Sequence, residues 1–426
     1  MRKILPVLSV LLCSFLFFLF SCSPKKTKEQ IVIWHWMTDR EDVFNELAKK
    51  YGELTGVNVK FETYAPSDVY REKVRAAAQA GLLPDIYSPL GAQRELASFI
   101  KAGYVEDLTP YMEEGWKNIF FENVLKQNSY SEDNEWEVKP GIYGVPIDVV
   151  SIQIFYNKSL FEKAGLDPHK TPQTFDGFIN VCRKLREKGI QPFVSGFGEE
   201  WLVDVFSRSF EYQILGEEGI IKTIKGEIKY TDPRWIKIFE LFEKMRDEKI
   251  FAEGIVTMIN KDAERVFATE KAAMALNGSW GINVYSGMNP RLNYNVFLPP
   301  KLVDAKYPVK IWVSSSFLNV NPKSKFKKEA IDFLKWLTND EQQVLLAKQT
   351  HNIPSNKNVS NVIESEVLKN FAINIDKAFP TLPVQEHWKV VGVKCKGIQS
   401  IIIGEKTAKQ LAQELQQEKE KILSEK

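Results

Sequence analysis

Short apolar runs alternate with amphipathic stretches along most of the chain. Ile31-Val32-Ile33-Trp34 reads as a buried strand. Val43, Phe44, Leu47 and Ala48 then recur at helical spacing, so a helix is predicted over 41–51, with Asp39 as its expected cap and Gly52 and Gly56 marking its exit. Val57-Asn58-Val59-Lys60-Phe61 alternates as a strand does. The Ala-rich stretch 70–80 predicts a helix that stops at Gly81. Asp85-Ile86-Tyr87 predicts a short strand, and 95–101 another helix, ended by Gly103. This β-α-β-α-β succession predicts a mostly parallel sheet with helices on its faces. Ligands of such sheets sit beyond the carboxyl ends of the strands.

The second half repeats the alternation less regularly. Strand-like sequence covers 144–156. A helix is expected from Thr174 to Lys188, ending at Gly189. Over 234–248, Trp235, Ile238, Phe239, Leu241, Phe242 and Met245 keep strong helical periodicity. Residues 272–276 predict a strand, and 328–337 and 341–350 predict helices. The tail, 408–426, predicts an amphipathic helix whose buried face carries Leu411, Leu415 and Ile422. There is no internal repeat or long low-complexity linker. At 426 residues the chain is too long for one compact core, and two domains are expected.

Charge narrows the partners. The 57 basic and 55 acidic residues give +2, and removing 1–21, which hold Arg2 and Lys3 and no acid, brings this to zero. A neutral chain without basic clusters argues against nucleic acid and against strong electrostatic docking on anionic lipid. The 10 Trp read either as core filler or as stacking surfaces for a flat apolar ligand face. The four His (His35, His169, His351 and His387) and four Cys show no metal-ligand spacing. No GxSxG, HExxH or phosphate-binding glycine loop is present. No metal, cofactor or catalytic residue is therefore expected. The many Asp and Glu leave a surface glycoside hydrolase with two carboxylates across a cleft as an alternative on composition alone.

The N-terminus looks like an export signal. Arg2 and Lys3 precede a nearly continuous apolar run, Ile4 to Phe20, then Leu19-Phe20-Ser21-Cys22 and a polar stretch to Gln30. Leu19 and Ser21 before Cys22 resemble a bacterial lipobox, and Phe20 departs from the small or aliphatic residue usual there. The resemblance implies a signal peptide at 1–21, lipid attachment at Cys22, and a flexible tether at 22–30. An uncleaved anchor is the alternative, since the 17 residues from Ile4 to Phe20 sit at the short limit for a span. A soluble secreted protein is another. Every one of these readings puts the body outside the cytoplasm. Of the Cys, only Cys182 and Cys395 remain in the body, where an oxidising compartment permits a disulfide.

Several segments resemble one family. The most specific is Tyr143-Gly144-Val145-Pro146 followed by Phe155-Tyr156-Asn157-Lys158-Ser159-Leu160-Phe161-Glu162-Lys163-Ala164-Gly165-Leu166. Ile31 to Trp36, Thr55-Gly56-Val57-Asn58-Val59, Tyr70 to Tyr87 through Ala80-Gly81-Leu82-Leu83-Pro84-Asp85-Ile86, Ala272 to Trp280, and Ile353-Pro354 add to it. Together they resemble the family 1 extracellular solute-binding proteins of ABC transporters, the maltose- and sugar-binding lipoprotein type.

The resemblance implies an α/β, two-lobed periplasmic-binding-protein fold (type II-like), each lobe a mostly parallel sheet flanked by helices, with hinge crossovers. Lobe 1 is expected at 31–147 and 312–358, and lobe 2 at 148–311 and 359–426. Closure on a ligand touching both lobes would shift an open–closed equilibrium. The implied partners are a small-molecule carbohydrate (monosaccharide or oligosaccharide), ABC permease subunits, and the membrane through the N-terminal lipid. A sensor or adhesin of the same fold is the alternative.

A sugar offers hydroxyls at its rim and C–H groups on its faces, so its site needs aromatic faces and planar polar groups. Candidates at strand exits are His35, Trp36, Tyr87 and Ser88 in lobe 1. Trp201, with Phe197 as its alternative, and Gly278, Ser279 and Trp280 are the candidates in lobe 2. Asp148 at the crossover either accepts a sugar hydroxyl or braces the hinge. Trp312 sits where the chain returns to lobe 1, where the family often has glycines that this sequence lacks. A phosphorylated ligand would call for Arg or a nest of N–H groups. No Arg is assigned to the cleft, and the Trp-rich set favours an uncharged sugar ring.

Overall fold

In a computed structural model, residues 30–91, 93–379, 382 and 384–425 are described. The expected signal peptide, Cys22 and the tether up to residue 29 lie outside them.

The opening strand forms over Gln30–His35, with Ile31 and Ile33 fully buried on one face. It pairs in parallel with Asn58–Thr63 on one side and Ile86–Tyr87 on the other. The first sheet is completed by antiparallel Phe317–Val320 and then Val145–Pro146. This lobe is thus built from the N-terminal part of the chain and a late return. Helices Glu41–Thr55, Lys327–Leu337 and Asp340–Thr350 pack over it. Phe44 and Phe61 stack at 4.5 Å in its core. Asp39 does not cap the first helix by a side-chain bond; the cap position is Arg40.

The second sheet has the order Tyr294–Phe297, Val150–Asn157, Ala272–Gly278, Gln191–Val194. All eight residues of Val150–Asn157 are buried, the polar Ser151, Gln153 and Asn157 included. Asn157 at its end caps helix Lys158–Lys163 by accepting the Leu160 N–H at 2.9 Å. The Tyr-Asn-Lys block is thus a strand-to-helix junction. Helices Glu200–Ile224, Pro233–Asp247, Trp388–Ile402 and Ala408–Ser424 pack together against this lobe. The tail helix starts in a capping box between Thr407 and Gln410 and buries Leu411, Leu415 and Ile422.

The chain passes between the sheets at 147–150 and again at 311–316. The Ile311 N–H donates to Lys377 O at 2.9 Å, and the Phe379 N–H to Ile311 O at 2.8 Å, so the second crossover is flanked by a further segment. Val149 bridges to Ile353. The molecule is two lobes, each an α/β sheet with helices on its faces. Cys182 and Cys395 are buried and free; the disulfide open to them does not form, and burial pushes both thiols above their usual range. No helix among the described residues is long and apolar enough to cross a membrane.

Candidate functional site

The strand exits of the two sheets face one another. Thr38–Arg40 follows the first strand, Gly281–Met288 follows Ala272–Gly278, and Asn283 Nδ2 donates to Asp39 O at 2.8 Å between them.

Two tryptophans lie side by side on the second lobe. Trp201, at the start of helix Glu200–Ile224, is 37% exposed. Trp280 is half-buried, and the two ring centroids are 6.1 Å apart at 49°. Each ring is held by its nitrogen: Trp201 Nε1 donates to Glu199 at 2.7 Å, and Trp280 Nε1 to Glu264 at 3.2 Å. Glu264, 1% exposed, also accepts from Asn260 and Asn277, so its place is fixed from three sides. Neither glutamate is singled out by the sequence.

Gly278 lies directly under Trp280. A Cβ at 278 would lie 1.9 Å from Trp280 Cζ3, so the indole already occupies the close approach that the glycine permits. Ser279 is fully buried; its N–H donates to Ser151 O at 2.9 Å and its hydroxyl accepts the Ser151 N–H at 3.4 Å. It is a strand-end brace. Phe197 is a core ring between Phe193 and Phe206.

On the first lobe, strand alternation separates the candidates. His35 is fully buried, edge-on to Phe44 and Phe61, with Thr63 Oγ1 3.2 Å from Nε2. Burial, then the charge of Arg40, lowers its pKa to about 4. Trp36 points the other way, half-buried, 5.3 Å from Tyr70. Tyr87 is also core, its hydroxyl donating to Tyr104 O at 2.7 Å. Ser88 is nearly buried; its N–H donates to the Tyr70 hydroxyl, and its own hydroxyl accepts the Leu90 N–H. Of the expected contact residues, His35, Tyr87 and Ser279 are thus fully buried, and Trp36, Trp201 and Trp280 keep open surface.

Asp148 is 1% exposed. It pairs with Arg40 and accepts the Ser316 N–H at 2.7 Å, tying the two crossovers to the first lobe. Of its two expected roles, hinge brace is the one its contacts fill. Trp312 lies half-buried against the second-lobe core, and its carbonyl accepts the Ile152 N–H at 3.0 Å. A cavity of about 1110 Å³ is lined by Phe121, Gln127, Lys310, Ile353, Ile363 and Phe379 among others, and by none of the expected site residues. Among the described residues, no group of three His, Cys, Asp or Glu is placed to hold a metal ion.

The profile of the family described as bacterial extracellular solute-binding protein matches residues 36–344. The chain belongs to that family. Its relatives include an ABC transporter extracellular-binding protein of Pyrococcus horikoshii, 29% identical over 65% of this chain and 63% of that one. A multiple sugar-binding protein of Streptococcus mutans is 25% identical over 75% of each chain. Among solved structures, a chitin oligosaccharide binding protein superposes with a TM-score of 0.78 at 21% identity, over 93% of this chain and 99% of that one. The Thermus thermophilus maltotriose binding protein, solved with maltotriose, gives 0.72 at 19%, over 92% and 100%. At these identities the likeness shows the fold, and the two-lobed architecture of the family is the one seen here.

Proposed function

We propose that this family member is the extracytoplasmic receptor of an ABC importer, that it binds a carbohydrate between its lobes, and that it hands the sugar to the membrane permease. The observation that carries the reading is the Trp201–Trp280 pair: two indoles, each fixed by a glutamate, beside the strand exit whose Asn283 reaches Asp39 of the first lobe. Fixed aromatic faces suit the C–H faces of sugar rings and cost little ordering on binding. Trp36 supplies the aromatic group on the opposite lobe. The named sugar specificities of the Streptococcus relative and of the structural neighbours support the same ligand class. Cys22 is the proposed lipid anchor, with lobe 1 at 31–147 and 312–358 and lobe 2 at 148–311 and 359–426.

A thermal-shift screen of the purified protein against neutral mono-, di- and oligosaccharides and glycerol phosphates tests it. A ligand that binds only the folded state adds about 2.7 kcal/mol at 100 times its dissociation constant. A shift with neutral sugars supports the proposal. A shift with glycerol phosphates alone would replace the ligand class.

A further inference from the structure

Helix Glu200–Ile224 is buried on nearly every side along its first part: from Leu202 to Gly216 every residue is buried except Asp204 and Arg208. With Trp201 these positions fall at i, i+3 and i+7, one face of a helix. Between Trp201 and Gly216 the helix thus opens one stripe, which starts at the Trp201–Trp280 pair and ends at the flank of the second crossover. There the Arg208 guanidinium lies 5.3 Å from the ring centroid of Phe379, which is itself stacked on Tyr212 at 4.8 Å. Phe379 is tied by its backbone to Ile311.

The polar groups on the stripe are held from behind. Lys394, 7% exposed, reaches Asp204 at 2.9 Å and Glu211 at 2.7 Å. Glu211 also accepts the Ser207 hydroxyl at 2.7 Å. Arg208 is 3.8 Å from Asp204, too far for a tight fork, and its side chain keeps 31% of its surface open. The cluster holds two carboxylates, Lys394 and Arg208, and is neutral as a set. Its open edge therefore presents an acceptor (Asp204) beside a planar donor (Arg208), with no surplus charge for an anion.

Resting on the carbohydrate reading of this site, we infer that Asp204 and Arg208 read the hydroxyls of a second, neutral sugar ring, so that the ligand is an oligosaccharide and not a monosaccharide. Seven residues separate Trp201 from Arg208, a rise of about 10 Å along the helix axis. That exceeds the width of one pyranose ring, so a ligand held at both ends of the stripe has at least two rings. Carboxylate and guanidinium side by side accept from one hydroxyl and donate to its neighbour.

The test is calorimetric titration with maltotriose, raffinose, chitotriose and xylotriose, with their component monosaccharides, and with a galacturonate trimer, on wild type, Arg208→Gln, Asp204→Asn and Trp280→Ala. Melting curves of each variant control for folding, and Arg208→Lys, which keeps the charge and loses the planar fork, is the second probe. Expected is at least one neutral trisaccharide bound tenfold or more tighter than its monosaccharides, with that preference reduced about tenfold in Arg208→Gln and Asp204→Asn and only partly kept in Arg208→Lys. A monosaccharide binding as tightly as every trimer, a preference for the galacturonate trimer, or an unchanged preference in folded Arg208→Gln overturns the inference. If Trp280→Ala alone weakens binding, the carbohydrate site stands and the stripe fails; if no sugar binds wild type, both fail.

Discussion

Arg40, at the end of the short turn after the first strand, forms a buried ion pair with Asp148 in the crossover, their side chains 3% and 1% exposed. Ser316 of the returning crossover joins them through its N–H and its hydroxyl. One cation thus connects a cleft loop of the first lobe to both hinge segments. Removing one partner of such a pair leaves a buried charge without compensation, at about 3–5 kcal/mol. Asp148→Ala is expected to lower stability by that order in denaturant unfolding. The double variant Arg40→Met/Asp148→Leu, which removes both charges, is expected to recover part of it.

Gly278→Ala probes the seat of Trp280. The new methyl cannot coexist with the indole where it lies, so the ring must swing out. A changed tryptophan fluorescence spectrum and weakened sugar binding are expected, in a chain that still folds. An unaltered spectrum would mean that the ring does not depend on this seat.

His35 makes stability depend on pH. Its folded pKa of about 4 lies below the usual 6.5, because burial and Arg40 disfavour the imidazolium. The unfolded chain therefore takes up a proton first as pH falls. Stability from the neutral ring is complete above pH 6.5 and is lost progressively between there and pH 4, by about 3 kcal/mol at most. Wild type minus His35→Gln, compared by unfolding at pH 7.5 and pH 4.5, is expected to show the smaller pH dependence in the variant.

Much of the frame is legible in the pattern of the sequence. The strands at 31–34, 57–61 and 272–276 and the helices at 41–51, 174–188, 234–248, 328–337 and 341–350 are there, displaced by a few residues at their ends. The site is less legible, for two physical reasons. Alternation says that His35 and Trp36 point opposite ways, but not which of them faces the core; only the packing of Phe44 and Phe61 around His35 decides that. Helix Glu200–Ile224 is missed altogether because it is buried on nearly every side and so lacks an amphipathic period. With it go Asp204 and Arg208, whose placement depends on Lys394 and Phe379, distant in sequence. At Gly278 the group that approaches the backbone is the chain's own indole, which no local pattern in the sequence announces.

Cys22 is testable in cells. Growth with labelled palmitate is expected to label the protein, and Cys22→Ala is expected to lose the label and leave the membrane fraction. Label retained in the variant would point to another attachment site, and membrane retention without label to an uncleaved anchor.

The central claim is that a neutral sugar lies on the Trp201–Trp280 surface between the lobes. Isothermal titration of wild type and Trp280→Ala with neutral oligosaccharides tests it most directly. The account predicts one site per chain and a loss of about tenfold or more in Trp280→Ala, ~1.4 kcal/mol. Equal affinity in a folded Trp280→Ala, or no binding of any neutral sugar to wild type, would contradict it.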